Sequence, residues 1–175
     1  MRTLLPISLA AITLAGCSTL DSIPTERVAS ARLAFANGLP AGTAQLLSDG
    51  KTLSLAVAAT GLEPGEHGFH LHTTGRCEAP GFTSAGGHLN PGSRQHGSLN
   101  PAGKHLGDLP NLLVGASRSA STEIDLGPDD AGMRAELFDG DGTAIVIHAE
   151  ADDYRSDPAG DAGARIACGV LTRAS

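Results

Sequence analysis

Short runs of strand-like sequence follow one another along most of this chain, and they limit its fold more than any other feature. Residues 51–60 alternate, with Leu53, Leu55, Val57 and Ala59 on one face of the predicted strand. Glycine, proline, asparagine and aspartate separate such runs, and short strands at regular spacing predict an all-β sandwich or barrel without a long helix. The other runs lie at 29–36, 42–48, 66–72, 111–117, 120–126, 134–138, 142–148 and 165–173.

The charge balance narrows the range of partners. The chain carries 12 lysine and arginine residues against 19 aspartate and glutamate residues, a formal net charge of −7. No basic patch stands out that could neutralise nucleic-acid phosphates, so we expect no nucleic-acid partner. An anionic substrate would need a local positive field on such a protein.

The beginning of the chain is typical of a secretion signal. A positive start is followed by a mostly apolar run at 4–14, which is too short to span a membrane, and by Leu-Ala-Gly-Cys ending at Cys17. This ending resembles the lipobox of bacterial lipoproteins, in which the cysteine carries the lipid; an ordinary signal peptide with an incidental cysteine is the alternative. The predicted organisation is a signal peptide at 1–16, lipidated Cys17 and a tether at 17–28, and a folded domain at 29–175.

The lipobox resemblance also implies a location. Ser18, rather than aspartate, follows the cysteine, which in such lipoproteins favours the outer membrane. We therefore expect a lipid-anchored protein of the bacterial cell envelope, at the outer membrane or in the periplasm. In that oxidising setting the remaining even pair, Cys77 and Cys168, predicts a disulfide, with two free thiols as the alternative.

Two long segments, 73–110 and 150–164, show no strand pattern. The first holds eight glycines and four prolines. A structureless segment of this length in a compact domain is usually functional or disordered. Function is favoured here, because the segment also holds potential metal ligands and a cysteine that would order it: His88, His96, His105, Asp108 and Cys77.

Two predicted strands carry further histidines. His70 and His72 are two residues apart, so they share one strand face while Phe69 and Leu71 share the face that belongs in the core. His148 alternates in the same way with the isoleucine that precedes it. Three imidazoles from two strands could converge on one metal ion, although a His-x-His pattern alone is a weak signal.

The histidines and the aspartate of the first long segment form a stronger pattern. Three imidazoles and one carboxylate are a ligand set suited to tetrahedral zinc. The three strand histidines together with His88 would give four nitrogens, which copper binds strongly.

Six motifs follow one another in fixed order: HGFHLH at 67–72, AGGHLNP at 85–91, SRQHG at 93–97, KHLGDL at 104–109, IHA at 147–149 and GARIACGV at 163–170. Together they resemble the copper–zinc superoxide dismutase family over about residues 53–172. The resemblance implies an eight-stranded antiparallel Greek-key barrel or flattened sandwich with two long functional loops. It also implies dismutation of superoxide to dioxygen and hydrogen peroxide, with copper and zinc as cofactors, and it is compatible with a homodimer.

The resemblance assigns a role to each matching residue. Copper would be bound by His70, His72, His88 and His148. Zinc would be bound by His88, His96, His105 and Asp108, so His88 would bridge the metals.

Residues beside the ligands also match the family. Asp152 matches an aspartate that links copper and zinc histidines, and Arg165 matches the arginine that guides the substrate, with Arg94 and Lys104 as further cationic candidates. Their alternatives are a solvated acidic residue and a surface arginine. His67, three residues before His70, faces the other side of its strand and is expected to be a structural, hydrogen-bonding histidine.

Two alternatives to this function stay open on the sequence. One is a non-catalytic copper- or zinc-binding lipoprotein on the same fold, which loss of Arg165 or of a copper histidine would have favoured. The other is a copper-only dismutase, which the presence of His96, His105 and Asp108 disfavours.

Overall fold

The computed structural model of the chain describes residues 25–174, so the predicted signal peptide and Cys17 lie outside the described residues. Within this part, one short helix, α1 at Ala131–Leu137, and a 3-10 turn at Thr83–Ala85 accompany ten strands. The strands are β1 Glu26–Phe35, β2 Pro40–Ser48, β3 Thr52–Thr60, β4 Gly65–His67, β5 Phe69–His72, β6 Leu112–Val114, β7 Ser119–Pro128, β8 Ala144–His148, β9 Arg165–Val170 and β10 Thr172–Arg173.

The strands form one large antiparallel sheet and one small one. The large sheet has the order β5-β8-β9-β1-β2-β3-β7, with β10 also paired to β1. The small sheet pairs β4 with β6, and β6 lies beside β7 while β4 leads directly into β5. The two ends of the large sheet are therefore brought towards each other, which confirms the predicted all-β antiparallel barrel.

The core consists of aliphatic side chains from the inner faces of the strands. The alternation in β3 is confirmed, because Leu53, Leu55, Val57 and Ala59 are all buried. Strands β5 and β8 pair in register and turn Phe69, Leu71, Ile145 and Ile147 into the same core. Complete burial of a side chain of this size contributes about 1.5–3 kcal/mol.

The prediction of a strand at 134–138 is wrong, because residues 134–137 form the second half of helix α1 and Phe138 is its C-cap. Asp130 caps the helix by accepting a hydrogen bond from the backbone N–H of Met133 at 2.8 Å. The residues that follow are mostly good helix formers, and Met133 and Leu137 are four apart, so both face the core on one side of a helix. A five-residue window could not distinguish this spacing from alternation.

The strand predicted at 66–72 is interrupted at Gly68. The Gly68 N–H donates to the carbonyl of Glu150 at 2.7 Å instead of joining the sheet. A Cβ atom at this position would lie only 2.6 Å from the Cβ of Ala162, so the chain needs glycine here. The close approach brings the second long loop against the end of β5.

The first long loop covers the outer face of β5 and β8. A small apolar cluster holds it there, formed by Phe82 and Ala85 of the loop against Ala144 and Val146 of β8. The predicted disulfide is confirmed: Cys77 is bonded to Cys168 of β9, with the Cα atoms 5.7 Å apart. No helix among residues 25–174 is both long and apolar enough for a membrane span.

Candidate metal centre

Strands β5 and β8 place three histidines beneath the first long loop. His70 pairs in register with Val146, and His72 pairs with Ala144. His148 ends β8, two positions further along the same face as Val146. All three side chains are buried because the loop closes over them.

Four imidazole nitrogens in this buried space lack a hydrogen-bond partner within the described part of the chain. They are Nδ1 of His70 and Nε2 of His72, His88 and His148. Burying an unpaired polar atom is costly and rare in folded proteins, so four such atoms pointing into one space need a physical explanation. The four rings can place one nitrogen each within 4.8 Å of the others, and a ligand set of four imidazoles fits copper.

The opposite nitrogen of each ring is held by the protein. His72 Nδ1 lies 3.0 Å from the carbonyl oxygen of Gly86, and His148 Nδ1 lies 3.2 Å from that of Gly163. A carbonyl accepts but does not donate, so each Nδ1 carries the proton and each Nε2 presents a lone pair to the centre. This arrangement fixes both the tautomer and the ring orientation that a metal ligand requires.

A second cluster surrounds Asp108. Its Oδ1 atom lies 2.8 Å from Nδ1 of His88, 3.0 Å from Nδ1 of His96 and 3.1 Å from Nδ1 of His105. The other oxygen, Oδ2, accepts the backbone N–H groups of Gly97 and His105, each at 2.9 Å. Three nitrogens and one carboxylate oxygen, all buried, form a donor set that fits tetrahedral zinc.

His88 belongs to both clusters. Its Nδ1 atom faces Asp108, whereas its Nε2 atom is one of the four unpaired nitrogens. The structure thus brings together the two predicted ligand sets in full, with one shared imidazole between them.

Asp152 links the clusters a second time. Its Oδ2 atom lies 2.7 Å from Nε2 of His70, and its Oδ1 atom lies 2.9 Å from Nε2 of His96. Gly160, with a φ of +65°, packs so closely that a Cβ atom there would overlap the carboxylate. Asp152 is therefore held where its two oxygens orient one ring of each cluster.

Burial sets the charge state of these groups. Desolvation, with neighbouring histidines, lowers the pKa of His72 to about 2 and that of His148 to about 3. Desolvation also lowers the pKa of His88 to about 4, although Asp108 opposes the shift. These rings are neutral at pH 7, so their lone pairs are available.

The two carboxylates keep their charge despite their burial. Burial alone would raise the pKa of Asp108, but hydrogen bonds from His88 and from backbone N–H groups outweigh it and hold the pKa below its usual value. The pKa of Asp152 is lowered for the same reason, through His70 and His96. The centre thus combines neutral imidazoles with carboxylates whose charge a divalent cation would balance.

Arg165 lies at a cleft of about 320 Å³ that reaches the metal centre. Its guanidinium is half-buried and donates from Nη1 to the carbonyl of Phe82 at 2.8 Å and from Nη2 to that of Gly86 at 2.7 Å. Desolvation lowers the pKa of Arg165, yet a guanidinium stays charged at any physiological pH. The cleft is lined by Gly87, His88, Asn90, Arg94, His105, Asp157, Pro158, Ala159 and Arg165.

The other cationic candidates differ in position. Arg94 lines the same cleft as Arg165, and Asp157 is the one carboxylate-bearing residue in its lining. Lys104 does not: its Nζ atom donates to the backbone carbonyl of Asp108 at 2.9 Å, and its side chain lines a separate small cleft beside Tyr154. The ring nitrogens of His67 lie 2.7 Å from the carbonyl oxygen of His148 and 2.9 Å from that of Glu63, and a neutral ring donates to one of them, as expected of a structural histidine.

Sequence reasoning missed the groups that hold the ligands in place. The carbonyls of Gly86, Gly163 and Arg94 orient His72, His148 and His105. Every residue has a backbone carbonyl, so the sequence alone does not show which ones contact a ligand. Asn111 and Tyr154, which surround Asp152, were also missed. The one available signal was that Tyr154, the only tyrosine of the chain, lies two residues after Asp152.

A closed antiparallel β-barrel with a buried double cluster of histidines defines a class of binuclear metalloprotein. A family model described as copper/zinc superoxide dismutase (SODC) matches residues 41–171. The chain is 43% identical to superoxide dismutase (Cu-Zn) 2 of Aquifex aeolicus, over 86% of this chain and 90% of the relative. It is 40% identical to superoxide dismutase (Cu-Zn) of Caulobacter vibrioides, over 82% and 84% of the two chains. The chain belongs to the copper/zinc superoxide dismutase family.

Solved structures agree in fold. A superoxide dismutase-like protein from Bacillus subtilis superposes with a TM-score of 0.75 at 40% identity, covering 81% of this chain and 97% of that one. The Cu/Zn superoxide dismutase from Brucella abortus gives 0.63 at 29% identity, covering 84% and 99%.

Proposed function

We propose that this protein catalyses the dismutation of superoxide to dioxygen and hydrogen peroxide, with copper at the four-histidine cluster and zinc at the Asp108 cluster. The observation that carries the proposal is the set of four buried, unpaired imidazole nitrogens, one of which belongs to His88 in the cleft that Arg165 also lines. A copper ion held there would supply one-electron redox chemistry, with superoxide as both the reductant and the oxidant. The protein's own contribution is to orient the ligands, attract the anion and manage a proton.

The shared ring supports the proton step. When Nδ1 of His88 is engaged at the Asp108 cluster, its Nε2 atom is the free end that faces the reacting space. Nε2 has a single lone pair, so it would be a copper donor in one half-reaction and would carry one of the two protons that peroxide formation needs in the other, while the ring stays anchored through Nδ1. Water supplies the second proton. A general acid or base must lie within hydrogen-bond reach of the reacting group, and Nε2 of His88 meets this condition for a small anion at the centre.

The charges along the cleft support the choice of an anionic substrate. The whole chain carries a formal charge of −7, and −8 without residues 1–16, so its overall field repels superoxide. Arg94 and Arg165 line the cleft against one carboxylate, Asp157, which makes its charged side chains positive in sum. A local positive field inside a cleft concentrates an anion there, and superoxide dismutase is among the systems for which this effect is known.

Metal analysis with a superoxide assay tests the proposal. The purified protein should hold one copper and one zinc per chain, and the rate at which superoxide is consumed should be proportional to the protein concentration. In the control His72→Ala, one copper donor is removed while all four residues of the zinc cluster remain, so copper and activity should fall while zinc stays. If the unmodified protein holds both metals but consumes no superoxide, it is a non-catalytic metal-binding protein of the same family.

We further propose that Cys17 carries a lipid that anchors the protein in the bacterial cell envelope, at the outer membrane. The support is the Leu-Ala-Gly-Cys ending of the apolar segment, followed by serine. Cys17→Ser should move the protein from the membrane fraction to the soluble fraction without loss of activity, because the predicted catalytic residues all lie beyond residue 66. Persistent membrane association of that variant would contradict the anchor. A homodimer stays a prediction, and sedimentation of the metal-loaded protein tests it.

A further inference from the structure

The side chain of Asn111 forms hydrogen bonds with both backbone polar groups of Asp152. It lies between the first long loop and β6, yet its Oδ1 atom accepts the N–H of Asp152 at 2.9 Å and its Nδ2 atom donates to the carbonyl of Asp152 at 3.0 Å. The two residues are 41 positions apart. Since both backbone polar groups of Asp152 are tied to one side chain, the direction in which its carboxylate leaves the backbone is fixed.

Tyr154 closes the arrangement. Its hydroxyl oxygen accepts the backbone N–H of Asn111 at 2.7 Å, and its own N–H donates to Oδ1 of Asp152 at 2.6 Å. Its φ angle is +61°, a backbone conformation that a residue with a side chain seldom adopts. Such strain persists only where surrounding contacts enforce it, and here it directs the N–H of Tyr154 back towards the carboxylate.

The second long loop is tied to the first by the same residue. The carbonyl of Tyr154 accepts the N–H of Leu99 at 3.0 Å, inside the segment that carries the zinc-cluster histidines. We call Asn111 and Tyr154, with these bonds, the Asp152 clamp. It fixes the position of Asp152 relative to both loops.

We propose that Asn111 and Tyr154 are positioning residues that couple the two metal sites to each other through Asp152. Asp152 holds Nε2 of His70, whose other nitrogen faces the four-histidine cluster, and Nε2 of His96, whose other nitrogen faces Asp108. A small displacement of Asp152 therefore rotates one ligand of each site at once. The inference rests on the proposed binuclear centre and adds the residues that set its geometry.

Asn90 offers a matched comparison inside the same protein. Its side chain makes the same pair of bonds to another backbone, accepting the N–H of Arg94 at 3.0 Å and donating to the carbonyl of Arg94 at 2.8 Å. That carbonyl lies 3.0 Å from Nε2 of His105, a ligand of the zinc cluster alone. Loss of the Asn90 side chain should therefore disturb one site, whereas loss of the Asp152 clamp should disturb both.

The test uses the full-length protein loaded with Cu(II) at the four-histidine cluster and with Co(II) as a coloured substitute for zinc. Asn111→Ala should change the electron paramagnetic resonance spectrum of copper and the visible bands of cobalt together. It should also speed the release of both metals to a chelator by about 10- to 100-fold, the usual cost of losing a residue that supports metal ligands. Asn90→Ala should change the cobalt bands alone, and Asn37→Ala, in the exposed turn between β1 and β2, should change neither.

Tyr154→Phe keeps the test decisive if Asn111→Ala fails to fold. This variant deletes only the hydroxyl that accepts the N–H of Asn111, so both spectra should shift in the same directions with release about fivefold faster, the effect of one hydrogen bond. The proposal is overturned if Asn111→Ala and Tyr154→Phe leave either spectrum as it is in Asn37→Ala. If the unmodified protein binds neither metal, the proposed metal centre is wrong and the clamp with it, an outcome distinct from unchanged spectra in a loaded protein.

Discussion

His88 serves both clusters with one imidazole, so its loss should cost more than the loss of a ligand of one site. In His88→Ala, the copper cluster keeps three nitrogens, and the Asp108 cluster keeps two nitrogens and a carboxylate. We expect weaker retention of both metals and a fall in superoxide consumption of more than about 100-fold, above the range for a residue that only supports a ligand. Metal content and the copper spectrum, measured beside activity, check this prediction.

His96→Ala is the matched control for that prediction. It removes a ligand of the Asp108 cluster but none of the four unpaired nitrogens. Its copper spectrum should differ from that of His88→Ala, because His96 supplies no nitrogen to the four-histidine cluster and reaches its members through Asp152 and Asp108. Identical copper spectra in the two variants would mean that His88 does not bridge the sites.

Arg165 should act through its charge. Arg165→Glu removes no ligand, so both metals should still bind, yet the second-order rate with superoxide should fall by at least about tenfold, since focusing of an anion by a cleft is worth roughly 10 to 10³. The salt dependence should also reverse. Added salt should slow the native reaction by screening attraction and speed the variant by screening repulsion. Rates measured over a range of ionic strength give the result.

The variant Arg165→Gln distinguishes the effect of the guanidinium charge from the effect of its hydrogen bonds. The guanidinium also donates to the carbonyl of Gly86, which orients His72, so a change of residue alone could disturb the copper cluster. Glutamine keeps a hydrogen-bond donor and removes the charge, so its salt dependence should be nearly flat. A Glu variant with the native rate and salt slope would show that the substrate is guided from elsewhere in the cleft.

Individual elements were predictable where one periodicity dominates the sequence. Strand β3 could be predicted because its apolar residues alternate over nine positions between a core and a solvated face. Helix α1 could not, because it is only seven residues long and the cap at Asp130 is a local signal that its polar surroundings obscure. The split of 66–72 depends on Ala162 and Glu150, which are more than 80 positions away, and no local pattern carries that information.

The disulfide is the covalent link between the first long loop and β9. Cys77 and Cys168 are 91 positions apart, and loop-entropy arithmetic gives an upper limit of about 4–5 kcal/mol for closing a loop of that length. Cys77→Ser should therefore lower the melting temperature by up to about 10–20 °C, given about 2–4 °C per kcal/mol for a chain of this size. Calorimetry on the metal-loaded protein measures the shift.

Zinc binding should weaken in the same variant. The carbonyls of Phe82 and Gly86, which hold Arg165, lie in the segment that Cys77 ties down, and the zinc histidines follow it along the chain. Cys168→Ser should behave in the same way, because either substitution opens the same link. An unchanged melting temperature with both metals bound would show that the apolar contacts of Phe82 and Ala85 with β8 suffice to hold the loop.

At the scale of the whole molecule, the apolar core stabilises the barrel, whereas the metal ligands hold the loops. Both ligand sets were predicted through the family resemblance that the six motifs carry together, since the His-x-His pattern alone is a weak signal. What holds the ligands was not predictable, since it depends on backbone carbonyls and on pairs such as Asn111 and Asp152 that meet only after folding. The apolar core around Leu53 and Leu55 is built without any metal ligand, so the barrel should tolerate loss of the metals better than the loops do.

Metal removal should therefore loosen the protein unevenly. The copper ligands join β5 and β8 to the first long loop through His88 alone, while the zinc ligands all lie within that loop. Without metals, the four buried nitrogens have no hydrogen-bond partner within residues 25–174. A metal present at 1,000 times its dissociation constant would add about 4 kcal/mol to the free energy of unfolding. Chelation should lower the melting temperature by about 10 °C and remove hydrogen-exchange protection from residues 86–108, while β2 and β3 stay protected. Zinc alone should restore that protection in the unmodified protein but not in His96→Ala, and equal loss of protection in β3 would show that the barrel itself depends on the metals.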